Sequence, residues 1–223
     1  MSATTTLNTP DKSDHQSSSE ILSQETLRQA CYQLIKGRRS IRDYQTTGVS
    51  RELVERVIQA GMWAPSGKNR QNWRFFVVDG AKKDEYLKYS QKTWENVKDR
   101  LKVQLKPSLY EFTQRFFYTL GNAPVVIFCY AQTDLNDTYL TAVGSVYMAV
   151  QNMNLAAFAE GLGTCTMGAP LDIKDEVNHF LGVTELSEFK EGKLELLCAI
   201  SLGYPNHKAP AAARQLEGRI TWC

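Results

Sequence analysis

Residues 38–44 read RRSIRDY, and residues 64–73 read APSGKNRQNW. The first stretch places three guanidiniums within five residues, directly after a helix that is predicted to end at Gly37. Arginine presents planar, paired N–H donors that suit a phosphate, so Arg38, Arg39 and Arg42 make a compact anion site. If the segment is extended, Arg38, Ser40 and Arg42 share one face, because side chains alternate along a strand. That face can follow a ligand from phosphate to ring. The competing reading is a solvated basic turn, since short basic runs are common. In the second stretch Pro65, Ser66 and Gly67 mark a loop. Its small residues let backbone approach a ligand closely. Asn69 both donates and accepts, which suits a ring edge carrying N–H and C=O groups together. A plain helix-to-strand connection is the alternative.

Upstream of these stretches, Leu27, Ala30, Cys31, Leu34 and Ile35 recur at helical spacing, with Ser23 as N-cap and Gly37 as stop. Between them, Ser50 caps a helix starting near Arg51. Its buried stripe is Val54, Val57, Ile58, Gly61 and Met62, and Val49 staples onto Val54. WRFFVV (73–78) and PVVIFCY (124–130) read as buried strands. Residues 81–120 are rich in Lys, Glu, Gln and aromatic residues, with Pro107 in the middle, and predict helices over 82–104 and 108–120. Tyr110, Phe112, Phe116, Phe117 and Tyr118 either cover a pocket as a lid or pack in the core. Residues 139–160 form a long helix with small or apolar residues on most faces, which calls for a core or an interface around it.

GLGTCTMGAP (161–170) reads as a loop or short strand. Its Gly161-x-Gly163 is no dinucleotide fingerprint, because the glycines follow a helix rather than a strand and the third is misplaced. Asp172 is expected to cap a helix to about Leu181, and Leu194 to Leu202 to form a third central strand. A Pro/Ala-rich tail, 205–223, carries Lys208, Arg214 and Arg219. Helices outweigh strands, and a doubly wound parallel connectivity would leave the long helical stretches unexplained.

The bulk figures narrow the function. The 223 residues suit a polar, disordered tail over 1–22 and one folded domain over 23–223. A net charge of +2 is too small to argue for nucleic acid or an anionic membrane. Neither a signal peptide nor an apolar run long enough to span a bilayer is evident. The five cysteines (Cys31, Cys129, Cys165, Cys198 and Cys223) are odd in number and lack a CxxC spacing. That argues for a reducing, cytoplasmic setting, without a disulfide framework or thiolate metal site. Three scattered histidines exclude a His-based metal site and serve a Ser-His-Asp machine poorly. Cys165 lacks a basic partner nearby in sequence and reads as an inert thiol. Any catalysis is then carried by a cofactor, and no catalytic side chain is named.

Together, RRSIRDY, APSGKNRQNW, the small-residue helix ending in EGLGTC (160–165) and LGYPNHKAP…R (202–214) resemble the nitroreductase family of flavoproteins, over residues 25–220. The resemblance implies an α+β fold with a central, mostly antiparallel sheet flanked by helices. It also implies an intertwined homodimer with two FMN sites, each drawing groups from both subunits. On this match Arg38 and Arg214 hold the FMN phosphate, with Lys208 as a further phosphate ligand. Arg39 and Ser40 take the phosphate–ribityl region or the ring edge. Arg42 lies near N1 and O2, Pro65, Ser66 and Asn69 serve the pyrimidine edge, Thr166 and Met167 line the ring, and Gly168 and Ala169 lie near N5. The implied activity passes electrons from NAD(P)H through flavin N5 to a nitroaromatic, quinone or similar small acceptor, in ping-pong fashion. Alternatives are a relative with other flavin chemistry (dehalogenation, dehydrogenation or flavin fragmentation), a non-catalytic flavin-binding protein, and a basic scaffold for another phosphate ligand. Two departures stand out: Asn72 replaces the family's Pro before Trp73, and Met167-Gly168-Ala169 replaces an often acidic segment near N5.

Overall fold

The apolar run at 124–130 is buried on both faces, and the rest of the chain is arranged to cover it. In the computed structural model, which describes residues 23–133, 138–211 and 213–223, the elements are α1 (Gln24–Gly37), α2 (Arg51–Met62), β1 (Trp73–Asp79), α3 (Gly80–Gln104), α4 (Pro107–Thr119), β2 (Val125–Gln132), α5 (Tyr139–Ala159), β3 (Gly163–Met167), α6 (Lys174–Phe180), α7 (Ser187–Lys190) and β4 (Leu194–Gly203). The tail expected over 1–22 lies outside the described residues. The sheet runs β1-β2-β4-β3 with every adjacent pair antiparallel. This is an α+β fold with an antiparallel sheet, as the resemblance to the nitroreductase family implies.

Strand alternation sorts β2 between two cores. Val125, Ile127, Cys129 and Ala131 pack with α2 and α5. Val126, Phe128 and Tyr130 pack on the other face with Tyr86 of α3, Phe116 of α4 and Val177 of α6. A strand buried on both sides reads as a continuous apolar run, which is why PVVIFCY does not alternate. β1 is an edge strand and does alternate in part: Trp73 and Val78 are buried, whereas Val77 is exposed. Its expected full burial is therefore corrected.

Local signals set most helix ends. Ser23 Oγ accepts from the Thr26 N–H and caps α1, and Ser50 Oγ accepts from the Leu53 N–H and caps α2. Pro107 opens α4 at its first turn. Asp172 does not cap α6 as expected. It lies within a 3-10 turn, Ala169–Ile173, that leads directly into that helix. Nor is the apolar stripe of α1 buried, since no residue of that helix is buried within this chain.

α2 lies against α5 through Gly61, where a Cβ would come within 2.6 Å of Met153 Cγ. Gly121 is tighter still. Its φ is +62°, and a Cβ would fall 2.1 Å from the Arg42 carbonyl oxygen, a backbone atom that cannot step aside. Gly121→Ala combines left-handed strain with that clash and is expected to cost about 2 kcal/mol or more. The shift of the chemical-denaturation midpoint at constant slope measures it, and a wild-type midpoint would contradict the packing described.

Candidate active site

The RRSIRDY segment is fastened along the free edge of β3. Ser40 pairs in parallel with Thr164, and the Ile41 N–H donates to the Thr164 carbonyl at 2.8 Å. Further along, the Tyr44 N–H donates to Gly121 O and the Gln45 N–H to Tyr204 O, each at 2.8 Å. Tyr44 itself is wholly buried. Its hydroxyl donates to Ile41 O at 2.5 Å and lies 2.9 Å from Ser201 Oγ. Burial drives the Tyr44 pKa upward, so the phenol stays a neutral donor. The segment is therefore extended, the condition under which Arg38, Ser40 and Arg42 share one face.

At the Arg38 end lies a cavity of about 550 Å³, lined by residues that include Arg38, Arg39, Thr164, Phe158, His207 and Lys208. No Asp or Glu is among its lining residues. Arg39 does two things there. Its Nη1 donates to Lys36 O at 2.6 Å and Arg38 O at 2.8 Å, and its Nε donates to Pro210 O at 3.3 Å, which ties the chain around 210 to the end of α1. Lys208 lines the cavity. Arg214 does not, and its Nη1 donates to the neighbouring Ala213 carbonyl at 3.1 Å. His207 lines it too, although no motif or spacing singles it out.

β3 carries the site away from that cavity. Five residues separate Gly163 from Gly168, roughly 17 Å at strand rise. Thr166 is exposed, Met167 packs into the second core at 7% exposure, and the space around a Cβ on Gly168 is open. Behind Thr166 sits Asn154 of α5, 6% exposed. Its Nδ2 donates to Thr166 Oγ1 at 3.2 Å, and its Oδ1 is a buried acceptor without a partner among the described residues. Such atoms are rare and call for a ligand or water. No sequence signal separates Asn154 from the other small and polar residues of that helix.

The 64–73 loop is a tight turn that stands elsewhere. Lys68, Asn69 and Gln71 all have positive φ, Ser66 Oγ accepts from the Gln71 N–H at 2.9 Å, and Asn69 Oδ1 accepts from Gln71 Nε2 at 3.3 Å. Pro65 is exposed. The Gly67 N–H reaches Ser145 Oγ at 3.4 Å. Ser145 precedes Phe158 by thirteen positions on α5, roughly 20 Å along the helix axis. One chain thus brings Arg38, Arg39, Ser40, Arg42, Thr166, Gly168 and Lys208 along one edge, and sets Ser66 and Asn69 towards the other end of α5.

Cys165 points into the second core. Burial pushes its thiol pKa up, against the opposing pull of the Arg42 and Arg38 guanidiniums. A thiol held protonated in the core is not a nucleophile at neutral pH. Among the described residues no cluster of three or more His, Cys, Asp or Glu could hold a metal ion, and no helix is long and apolar enough to cross a membrane.

Comparison with known proteins places this geometry. A model described as the nitroreductase family matches residues 35–204. The 4-nitrobenzoate reductase of Nocardioides sp. (strain LMS-CY) is 26% identical over 213 residues, covering 81% of this chain and 82% of that protein. Nitroreductase NfnB of Mycolicibacterium smegmatis is 26% identical over 214 residues, covering 82% and 86%. Among solved structures, iodotyrosine deiodinase bound to FMN and 3-iodo-L-tyrosine superposes with a TM-score of 0.64 at 25% identity, covering 82% of this chain and 94% of that one.

The exposures predict the thiol chemistry. Cys31 and Cys223 are exposed, and Cys129, Cys165 and Cys198 are buried. Iodoacetamide on the folded protein should modify the first two within minutes, and the other three only after denaturation. Peptide mass spectrometry reads this directly. Rapid alkylation of Cys165 would show an activated thiol and overturn its placement.

Proposed function

Because the chain belongs to the nitroreductase family, we propose that it is an FMN-dependent oxidoreductase that passes electrons from NAD(P)H to nitroaromatic, quinone or similar small organic acceptors. FMN, when bound, supplies the electron-carrying centre, and the described chain holds no side chain poised as a nucleophile. The observation that carries the reading is the cation-lined cavity without a carboxylate, continuous with the strip of alternating Arg38, Ser40 and Arg42. That donor set fits a phosphate at one end and an electron-rich ring edge at the other.

The roles divide along the strip. Arg38 and Lys208 face the phosphate, with Arg39 fixing the cavity wall and Arg214 as an outer cation. Ser40 follows the ribityl chain, and Arg42 lies at the N1/O2 edge, where a fixed positive charge favours electron uptake. Thr166, Met167, Gly168 and Ala169 form the wall towards N5. The open space beside Gly168 and the unpartnered Asn154 Oδ1 fit a ligand surface there. A planar cofactor leaves one face for the nicotinamide and the acceptor in turn, so the two substrates exchange at one position. The domain responsible spans residues 23–223, in a cytoplasmic setting that suits five free cysteines.

Pro65, Ser66 and Asn69 reach the same site if two chains combine. α5 supports that arrangement: one face fills the first core, while Leu140 (78% exposed), Tyr147, Met148 and Phe158 present apolar surface outward. Exposed apolar patches of this kind mark interfaces. In a homodimer the partner's loop at 64–73 would complete the ring-edge contacts that one chain leaves open.

Reductive dehalogenation is a second reading, favoured by the similarity to iodotyrosine deiodinase. The purified protein should carry an oxidised-flavin absorbance that bleaches when NADH or NADPH is added without oxygen. Bleaching by dithionite alone, with turnover of an iodophenol, would favour dehalogenation, and failure to take up FMN would sink both. Arg38→Ala should weaken FMN binding at least tenfold, as measured by fluorescence titration of the apoprotein. Unaltered affinity would remove Arg38 from the phosphate site.

A further inference from the structure

A second, smaller cavity opens beside Arg42. Its volume is about 190 Å³, and Arg42, Asp43, Phe112, Arg115, Phe116 and Asn122 are among its lining residues. This is below the ~300–1,000 Å³ of a whole ligand pocket, so it suits one end of a molecule rather than all of it.

Its charge is unusual. Two arginines, Arg42 and Arg115, are among the lining residues, and neither forms a salt bridge among the described residues. The one carboxylate in the lining, Asp43, is already held. Its Oδ1 accepts from Asn206 Nδ2 at 3.1 Å, and its Oδ2 lies 3.4 Å from His207 Nδ1. Both arginines are braced. Arg115 lies over the Phe112 ring, 5.6 Å from its centroid and one helical turn along, which leaves the planar N–H edge free. Arg42 stands beside Cys165 and Tyr44 and has no acidic partner there. Phe112 and Phe116 supply apolar walls that match a flat ring.

We propose that this cavity is the acceptor's recognition subsite, and that it takes the carboxylate of an aromatic acid between Arg42 and Arg115 while Phe112 lies along the ring. The inference rests on the reductase reading for what happens to the bound acid, and on the cavity alone for its binding. A carboxylate has two oxygens, and each can accept charge-assisted hydrogen bonds from a guanidinium. Arg115 thereby becomes the residue that selects the acceptor, carried on the helix the sequence marked as a cover for a pocket.

The test compares 4-nitrobenzoate with the isosteric neutral 4-nitrobenzamide on the flavin-loaded full chain, wild type and Arg115→Met. The expected result is at least a tenfold lower KM for the acid in the wild type, and a collapse of that ratio by tenfold or more in the variant, with Arg115→Lys between them. In parallel, calorimetric titration with non-reducible benzoate and benzamide reads the subsite without turnover. Benzoate should bind at least tenfold more tightly than benzamide, and the difference should vanish in Arg115→Met. Equal binding of acid and amide by the wild type, or a variant that changes only the KM for NADPH, overturns the subsite. Arg115-dependent benzoate binding with no reduction of either nitro compound would instead overturn the reductase reading and leave the subsite standing. Reduction of the amide with no preference for the acid does the reverse.

Discussion

The site depends on one buried phenol. Tyr44 is inaccessible to solvent and sits in the second core, yet its hydroxyl must find partners, because a buried unsatisfied hydroxyl costs about 1–3 kcal/mol. It finds Ile41 O three residues back and Ser201 on β4. Those bonds fold the backbone between Ile41 and Tyr44 into a fixed path and hold it to the sheet. Ser40 and Ile41 then pair with Thr164, which fixes the backbone spacing of the arginines on either side, and Arg39 is held further by its own bonds to Lys36 O, Arg38 O and Pro210 O. An arginine on a free loop would lose rotamer entropy on binding an anion. Here the backbone part of that loss is incurred on folding. Gly121 belongs to the same device, since only a residue without a Cβ lets the 120–122 turn close over Arg42 and accept from the Tyr44 N–H.

α5 imposes the second constraint. Ala142, Ser145, Val146, Ala149, Val150, Met153, Asn154 and Ala157 make one buried face, several of them small. Small residues bring the helix close to β2 and β4 on one side and to Gly61 of α2 on another. The opposite face keeps its large apolar side chains exposed. Since α5 also separates the cationic strip from the Asn69 loop by roughly 20 Å, the helix that fills the core is the element that splits the ligand contacts into two halves. A second copy docking on the exposed face is the arrangement in which that split is useful.

What could be read from the sequence follows from the range of the interactions involved. Caps at Ser23 and Ser50, the break at Pro107 and the unbroken apolar run at 124–130 are local, and the elements fall where those signals put them. The extended character of 38–44 was legible for the same reason. The burial of a given face was not. α1 carries an apolar stripe at good helical spacing and buries none of it in this chain, because periodicity reports that a face wants cover and is silent about which chain provides it. Asp172 had the right chemistry for a cap, but the 3-10 turn around it uses the backbone differently. Thr166 with Asn154, and Arg42 with Arg115, are pairs made by the sheet and the α3–α4 excursion. Neither pair has a spacing that a sequence pattern could mark.

Electrostatics explain why so little side-chain chemistry is needed. A guanidinium remains charged at any working pH, so a site built from Arg38, Arg39, Arg42 and Arg115 presents the same field whatever the proton supply. The described acids lie away from it, save Asp43, whose carboxylate is occupied by Asn206 and His207. Cys165 and Tyr44, the titratable groups beside Arg42, are both driven towards their neutral forms by burial. The result is a net positive field at the edge of the sheet, with Asp43 the one carboxylate among the lining residues of the two cavities. Such a field favours whichever ligand state carries more electrons, and it needs no reorganisation when the electrons arrive. On the proposed reading, a helix that adds one more guanidinium beside that field would change which acceptor enters it and leave the strip beneath as it was.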